Sequence, residues 1–132
     1  NQPGTAASNA FYNPGSTVTP MYLRHFTGWY VNLVQNLGVK NQFIVKYDVL
    51  DPNSDVDGAQ LGAPGTNHTV GDVKFSTLGL GWIYHWDANV KFVVYYDRVR
   101  NETVNPAATG SLAAYRGDLG DDVLTLRMQF KF

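Results

Sequence analysis

The chain has 132 residues, enough for one domain, with a net charge of −1 and no cysteine. That charge balance gives no electrostatic case for binding nucleic acid or an anionic membrane surface, and the absence of cysteine fits a periplasm-exposed protein. No run of about eighteen apolar residues occurs, which excludes a transmembrane helix, whereas eight Tyr, seven Phe and three Trp are many for this length and suit the two interfacial girdles of a membrane barrel.

In chain order, residues 1–20, with Pro3-Gly4 and Asn13-Pro14-Gly15, read as an extracellular loop. Five strands follow, at about 21–35, 39–50, 73–86, 89–101 and 122–132. In the first, Trp29, Val31 and Leu33 face outward, and Arg24, Tyr30 and Asn32 inward. After the tight turn Asn36-Leu37-Gly38, the second places Phe43, Val45, Tyr47 and Val49 outward, opposite Ile44, Lys46 and Asp48. The third carries Leu78, Leu80, Trp82, Tyr84 and Trp86 on its apolar face, with Gly79 and Gly81 behind, where they relieve crowding. A second short turn, Asp87-Ala88-Asn89, leads to the fourth, where Val90, Phe92, Val94 and Tyr96 alternate with Lys91, Val93, Tyr95 and Asp97. In the fifth, Leu124, Leu126, Met128, Phe130 and Phe132 alternate without a break with Thr125, Arg127, Gln129 and Lys131.

Strict alternation over about ten residues supplies one face for lipid and one for a polar lumen. The connections support the same reading. Residues 36–38 and 87–89 are short, and 51–72 and 102–121 are long and rich in Gly, Asn, Asp and Ala, as in barrels with short periplasmic turns and long extracellular loops. Segments 43–53 and 92–102 also echo one another, with Tyr47-Asp48 and Tyr96-Asp97 in register. The expected fold is therefore all-β, an antiparallel transmembrane barrel. Five strands cannot close one, since the smallest have about eight. These read as the C-terminal five of a larger barrel, with the others lying outside this sequence or supplied by further copies. The start at Asn1, not Met, fits a removed leader or a longer chain.

The final strand resembles the C-terminal signal of bacterial outer-membrane barrels, which the barrel-assembly machinery reads. Leu124, Leu126, Met128, Phe130 and Phe132 would form it, with Arg127 standing where a small residue is usual. Residues 41–58 (Asn41-Gln42-Phe43 through Asp57-Gly58), residues 77–92 and the terminal strand together resemble the phosphate-selective porin O/P family, in its Bacteroidota form. The resemblance covers about residues 26–132. It implies a sixteen-stranded, usually trimeric outer-membrane porin with an anion-preferring pore lined by Arg and Lys. The family's central phosphate-binding residues have no counterparts that can be placed in this chain.

By this register the pore-lining charges are Arg24, Lys46, Asp48, Lys91, Asp97, Arg127 and Lys131, five cations to two anions. Such a lining biases a wide pore toward anions, or simply solvates a polar interior. Asn53, Asp55 and Asp57, followed by Gly58, match the first half of a calcium loop, but Pro64 stands where its bidentate Glu is required. The alternative is an exposed acidic turn. Apart from such a Ca2+, no cofactor is expected. His25, His68 and His85 share no metal-ligand spacing, and no nucleophile elbow, phosphate loop or zinc signature occurs. Asn67-His68-Thr69 and Asn101-Glu102-Thr103 match glycosylation acceptors, a triplet common by chance. The expected function is non-enzymatic, passive diffusion of small hydrophilic solutes across a bacterial outer membrane, with phosphate among the candidate anions. The expected partners are the lipid bilayer, the assembly machinery and further copies, as a homotrimer or larger complex. Two rivals stay open: a non-conducting structural subunit of an outer-membrane complex, and a soluble ligand-binding β-barrel.

Overall fold

The computed structural model describes residues 24–132 in full and residues 9–11 and 19–21 as backbone. Strands β1 (Asn9–Phe11) and β2 (Thr19–Met21) pair antiparallel, with Ala10 opposite Pro20. The rest of the expected loop at 1–20 lies outside the described residues, as do 22–23 of the expected first strand. Five longer strands, β3 (Thr27–Leu37), β4 (Asn41–Asp51), β5 (Phe75–His85), β6 (Val90–Asn101) and β7 (Val123–Phe130), form one sheet in chain order. It is a mostly antiparallel meander. The sheet is not closed, and β3 and β7 are its edges among the described residues. Among the described residues no helix is long and apolar enough to cross a membrane, which says nothing of a crossing by strands.

The chain divides into two compact units. One comprises Trp29–Val49, Ser76–Arg100 and Gly120–Phe132; the other comprises Leu50–Phe75, Asn101–Leu119 and the segment ending at Gly28. In the sheet unit, turn chemistry sets the strand ends. Gly38 adopts φ +66°, a conformation that costs a residue with a Cβ. Asp87 Oδ1 accepts from the backbone N–H of Asn89 (2.7 Å) and of Val90 (2.8 Å), an Asx turn that fixes the start of β6. At the other end of β6, Asp122 accepts from Val99 N–H (3.1 Å) and lies 2.5 Å from the Tyr96 hydroxyl. Asp122 thus acts through its side chain, just before β7 begins.

Several boundaries differ from expectation by about two residues: β3 runs on to Leu37, β4 starts at Asn41 and β5 at Phe75. The two ends of the sheet differ as well. The strand expected from residue 21 starts at Thr27. The residues before it are bonded elsewhere: the His25 carbonyl accepts from Ser54 N–H (2.8 Å) and Ser54 Oγ (3.0 Å). The last strand ends at Phe130 rather than at Phe132. Lys131 N–H makes one further bond, to Asn89 O at 2.8 Å.

The second unit is the larger surprise. The long Gly- and Asn-rich connections carry a hydrophobic core of their own. Val56, Leu61, Val73, Val104, Ala108 and Leu112 are buried, and Val70, Phe75 and Tyr115 pack against them. Three 3-10 helices, Gly58–Gln60, Val70–Asp72 and Gly110–Arg116, turn the chain around this core. The two connections are stitched by backbone bonds, Asn105 N–H to Leu61 O (3.1 Å) and Glu102 N–H to Lys74 O (2.9 Å), and Val104 N–H to Tyr115 O (3.0 Å) closes the second connection on itself. Gly62 sits at φ +78° with Ala108 pressed against it; a side chain there would meet both a strained backbone and a filled space.

Candidate functional site: the two faces of the sheet

Alternation gives the sheet two chemically distinct faces, and the β6–β7 register shows how they match across strands. Val90 pairs with Phe130, Phe92 with Met128, Val94 with Leu126 and Tyr96 with Leu124. The intervening pairs are Lys91–Gln129, Val93–Arg127, Tyr95–Thr125 and Asp97–Val123. Paired residues project to the same side, so on one side apolar meets apolar, and on the other two pairs are polar with polar and two set a valine against a charged residue.

The apolar face continues across β3, β4 and β5. Phe43 stacks on Trp82 with centroids 6.5 Å apart, and the contacts run on through Tyr84, Trp86 and Phe92. This aromatic row lies toward the short turns. Trp29 packs against Tyr47 at 5.5 Å, nearer the long connections, and Tyr96 lies toward the same end of β6. Between the two sets stand Val45, Leu80 and Val94. Most of these side chains are exposed: Leu80 by 47 % and Leu126 by 70 %.

The opposite face is built around a close joint. Tyr95 lies across Gly79 and Gly81; a Cβ on Gly81 would come within 2.6 Å of the Tyr95 ring and 3.2 Å of Ile44. Only glycine lets the ring approach β5 this closely. The joint places Ile44, Gly79, Gly81 and Tyr95 on one side. Lys46 and Asp48 alternate with Ile44, and Asp97 with Tyr95, so they share that side. Lys46 Nζ is 2.6 Å from Asp48 Oδ1. Lys91 and Arg127 lie on the same face toward the short turns, and neither makes a salt bridge among the described residues. Lys131 follows β7 and lines a recess of about 170 Å³ with His85, Lys91 and Gln129. Charge is therefore graded along the strands: cations at the turn end, and a neutralised Lys46 with Asp48 and Asp97 at the other. Lys91 and Asp97 are six residue steps apart along β6, about 20 Å.

Arg24 is a correction. It was expected inside the first strand among the lining charges, but it precedes β3 and pairs with Asp72, Nε to Oδ1 at 2.6 Å. The cause is the chemistry of Asp72, a wholly buried carboxylate in the loop unit. A buried charge needs donors on every side. Besides Arg24, Asp72 accepts from Asn53 Nδ2 (2.9 Å), Thr69 N–H (2.8 Å) and Thr69 Oγ1 (3.2 Å). Without Arg24, four of the cations and both anions expected to line a pore stand on or beside the polar face of the sheet.

Two of the three residues of the calcium half-loop, Asn53 and Asp55, turn side-chain atoms to partners within the protein, and Asp57 is held through its backbone. Asn53 turns its amide to Asp72. Asp55 Oδ2 lies 2.7 Å from His25 Nδ1, a bond that holds its carboxyl below the ordinary range. Asp57 N–H donates to Gln60 Oε1 at 3.0 Å at the start of a 3-10 helix. Among the described residues no group of three or more His, Asp or Glu is arranged to hold a metal ion. Asn101 is similarly committed: its amide nitrogen donates to Gly117 O (3.0 Å) and Glu102 O (2.9 Å), and its Oδ1 accepts from Leu119 N–H (2.9 Å). Burial pushes the neighbouring Glu102 carboxyl above the ordinary range, against the effect of the Lys74 N–H at 2.8 Å.

Sequence reasoning missed the Asp72 cluster and the loop core. Val56, Leu61, Val104 and Leu112 stand as isolated apolar residues at irregular spacing within otherwise polar connections, so no periodic pattern marked the core. Nothing in the sequence joined Arg24 to Asp72, which are forty-eight positions apart. No family model matches the chain, and neither curated proteins nor solved structures give a match to it.

Proposed function

We propose that the sheet forms part of an outer-membrane β-barrel porin through which small hydrophilic solutes diffuse passively, with a preference for anions. The observation that supports this is the sorting of the two faces. One face presents a continuous exposed apolar surface bounded by two aromatic sets, and the other presents Lys46, Asp48, Tyr95, Asp97, Lys91 and Arg127. In water such a surface is a liability, and so are two open edges. In a bilayer the apolar rows meet hydrocarbon, and β3 and β7 pair with further strands of a closed barrel. An eleven-residue strand such as β4 is about 36 Å long and, tilted by about 40°, spans about 28 Å, the height of a membrane band.

Lys91, Arg127 and Lys131 supply the anion bias, since they lie toward one end without carboxylate partners among the described residues, whereas Lys46 is neutralised by Asp48. The resemblance to the phosphate-selective porin O/P family adds a sixteen-stranded trimer inserted by the barrel-assembly machinery. No bond is made or broken in this function; selection rests on pore width and lining charge.

Single-channel conductance of the full natural chain in a planar bilayer under a salt gradient tests the reading. Large steps with an anion-directed reversal potential are expected, and Lys91→Glu with Arg127→Glu should move that potential toward cations. A second reading, a non-conducting structural subunit, is favoured by the independent core of the long connections. A folded, silent barrel would decide for it.

A further inference from the structure

β6 carries two arginines on the apolar side. Alternation places Phe92, Val94, Tyr96, Arg98 and Arg100 together, and the partners Met128, Leu126 and Leu124 mark that side as the apolar one. Beyond Tyr96 the row ends in two exposed guanidinium groups at the long-connection end of the strand. They line a shallow groove of about 170 Å³ with Tyr47, Ser76 and Leu78. Tyr47 and Leu78 belong to the apolar rows of β4 and β5, so the groove has apolar walls and a cationic rim. The arginines project from a fixed strand, since the bonds of Tyr96 and Val99 to Asp122 hold this stretch of β6 to the start of β7.

Their depth is informative. Arg98 and Arg100 lie about 7 and about 13 Å along the strand beyond Tyr96, or about 5 and 10 Å along the normal of a barrel tilted by about 40°. That is the thickness of a headgroup layer outside the hydrocarbon. We infer that Arg98 and Arg100 bind the phosphate-bearing headgroup of an anionic membrane lipid, whose acyl chain follows the row Leu78, Leu80 and Trp82. The inference rests on the lipid-facing reading of this surface. A guanidinium fork matches phosphate oxygens in pairs. Only a ligand that is anionic above and apolar below fills both halves of the groove; a free phosphate leaves its walls in water. The overall charge of −1 does not oppose this, because distant charges are screened beyond about 10 Å.

The test uses the full natural chain reconstituted into vesicles of phosphatidylcholine alone or with one-fifth phosphatidylglycerol, followed by native mass spectrometry of the lipids that remain bound. Phosphatidylglycerol should be enriched on the wild type. Arg98→Ala and Arg100→Ala should each weaken that enrichment about fivefold, and together about thirtyfold. Incorporation into pure phosphatidylcholine should be the same for all variants, which shows that they fold. Equal enrichment on wild type and double variant overturns the inference. So does retention of inorganic phosphate with no preference between the lipids, which would assign the arginines to a free anion. Failure of the wild type to enter phosphatidylcholine vesicles would overturn the lipid-facing reading itself, and this inference with it.

Discussion

The loop unit and the sheet place their apolar side chains in opposite ways. In the loop unit Leu61, Val73 and Ala108 are 0 % exposed. On the sheet, the apolar residues of the most regular elements of the chain stand largely bare. Regularity and self-sufficiency are therefore separate properties here. Ladder hydrogen bonds and cross-strand pairs hold the strands to one another, but they give the faces nothing to pack on, and burial is the dominant favourable contribution to folding. The irregular connections bury their own apolar atoms and pair their own buried backbone, so they need no external medium. The sheet needs one, and the hydrocarbon of a bilayer is the medium proposed.

The largest single effect should come from the buried charge on which the loop unit is organised. Asp72→Ala removes a carboxylate that accepts from Arg24, Asn53 and Thr69 and leaves those donors without it. Removing one partner of a buried pair costs about 3–5 kcal/mol, and the lower end applies because the Arg24 side chain keeps 35 % exposure. Hydrogen exchange should then show lost protection at 51–74 and 102–119, with the amides of β4, β5 and β6 unchanged. Equal loss in the sheet would show that the two units unfold together.

A pair of leucines measures the contrast directly. Leu61→Ala deletes a wholly buried side chain and should cost about 3 kcal/mol, as lost transfer energy plus a cavity. Leu80→Ala deletes one that is 47 % exposed. Against lipid, which closes over the gap, the expected cost is about 1–2 kcal/mol of transfer energy alone. Urea unfolding of the chain in vesicles gives both numbers. A cost for Leu80 below about 0.5 kcal/mol would mean that the face meets water. A cost equal to that of Leu61 would mean that it packs against protein.

What could be read from the sequence follows the same division. Alternation of period two is a local property, so five strands and the turn at 87–89 were legible from residues such as Phe43 to Val49 and Leu124 to Phe130, whereas the first turn, expected at 36–38, lies at 38–40. The ends of strands were less so: the residues before Thr27 are bonded to Ser54, far along the chain. The Gly79–Gly81 pair signalled space, but that Tyr95 fills it depends on strand register. The loop unit was illegible for a physical reason. Its core is assembled from isolated residues at irregular spacing, and Asp72 gathers partners from three separate stretches of chain. Arg24 looked like a lining charge because alternation cannot tell a strand residue from one just before a strand.

The smallest expected effect is a pH response confined to the loop unit. Burial holds the His68 imidazole below its ordinary value of 6.5, with Asp72 opposing the shift and Arg24 adding to it. A histidine with a lowered folded value is favoured neutral by the fold, so the unfolded chain binds more protons. Its stabilising contribution is complete above 6.5 and is lost as pH falls from 6.5 through the lowered folded value. Asp55, held below its ordinary 3.8 by His25, keeps its contribution throughout that window and loses it only in stronger acid. Glu102 acts with the opposite sign: its carboxyl is raised above 4.5 by burial, so the fold gains as pH falls through the raised value. Acidification from pH 7.5 to 5.5 should therefore loosen the loop unit first through His68. Hydrogen exchange at 51–74, corrected for the intrinsic pH dependence of exchange, should show that loosening in the wild type and lose most of it in His68→Gln. A response that persists in the variant would assign the sensitivity to another group. A response that spreads into β5 and β6 would show that the sheet depends on the loop core after all.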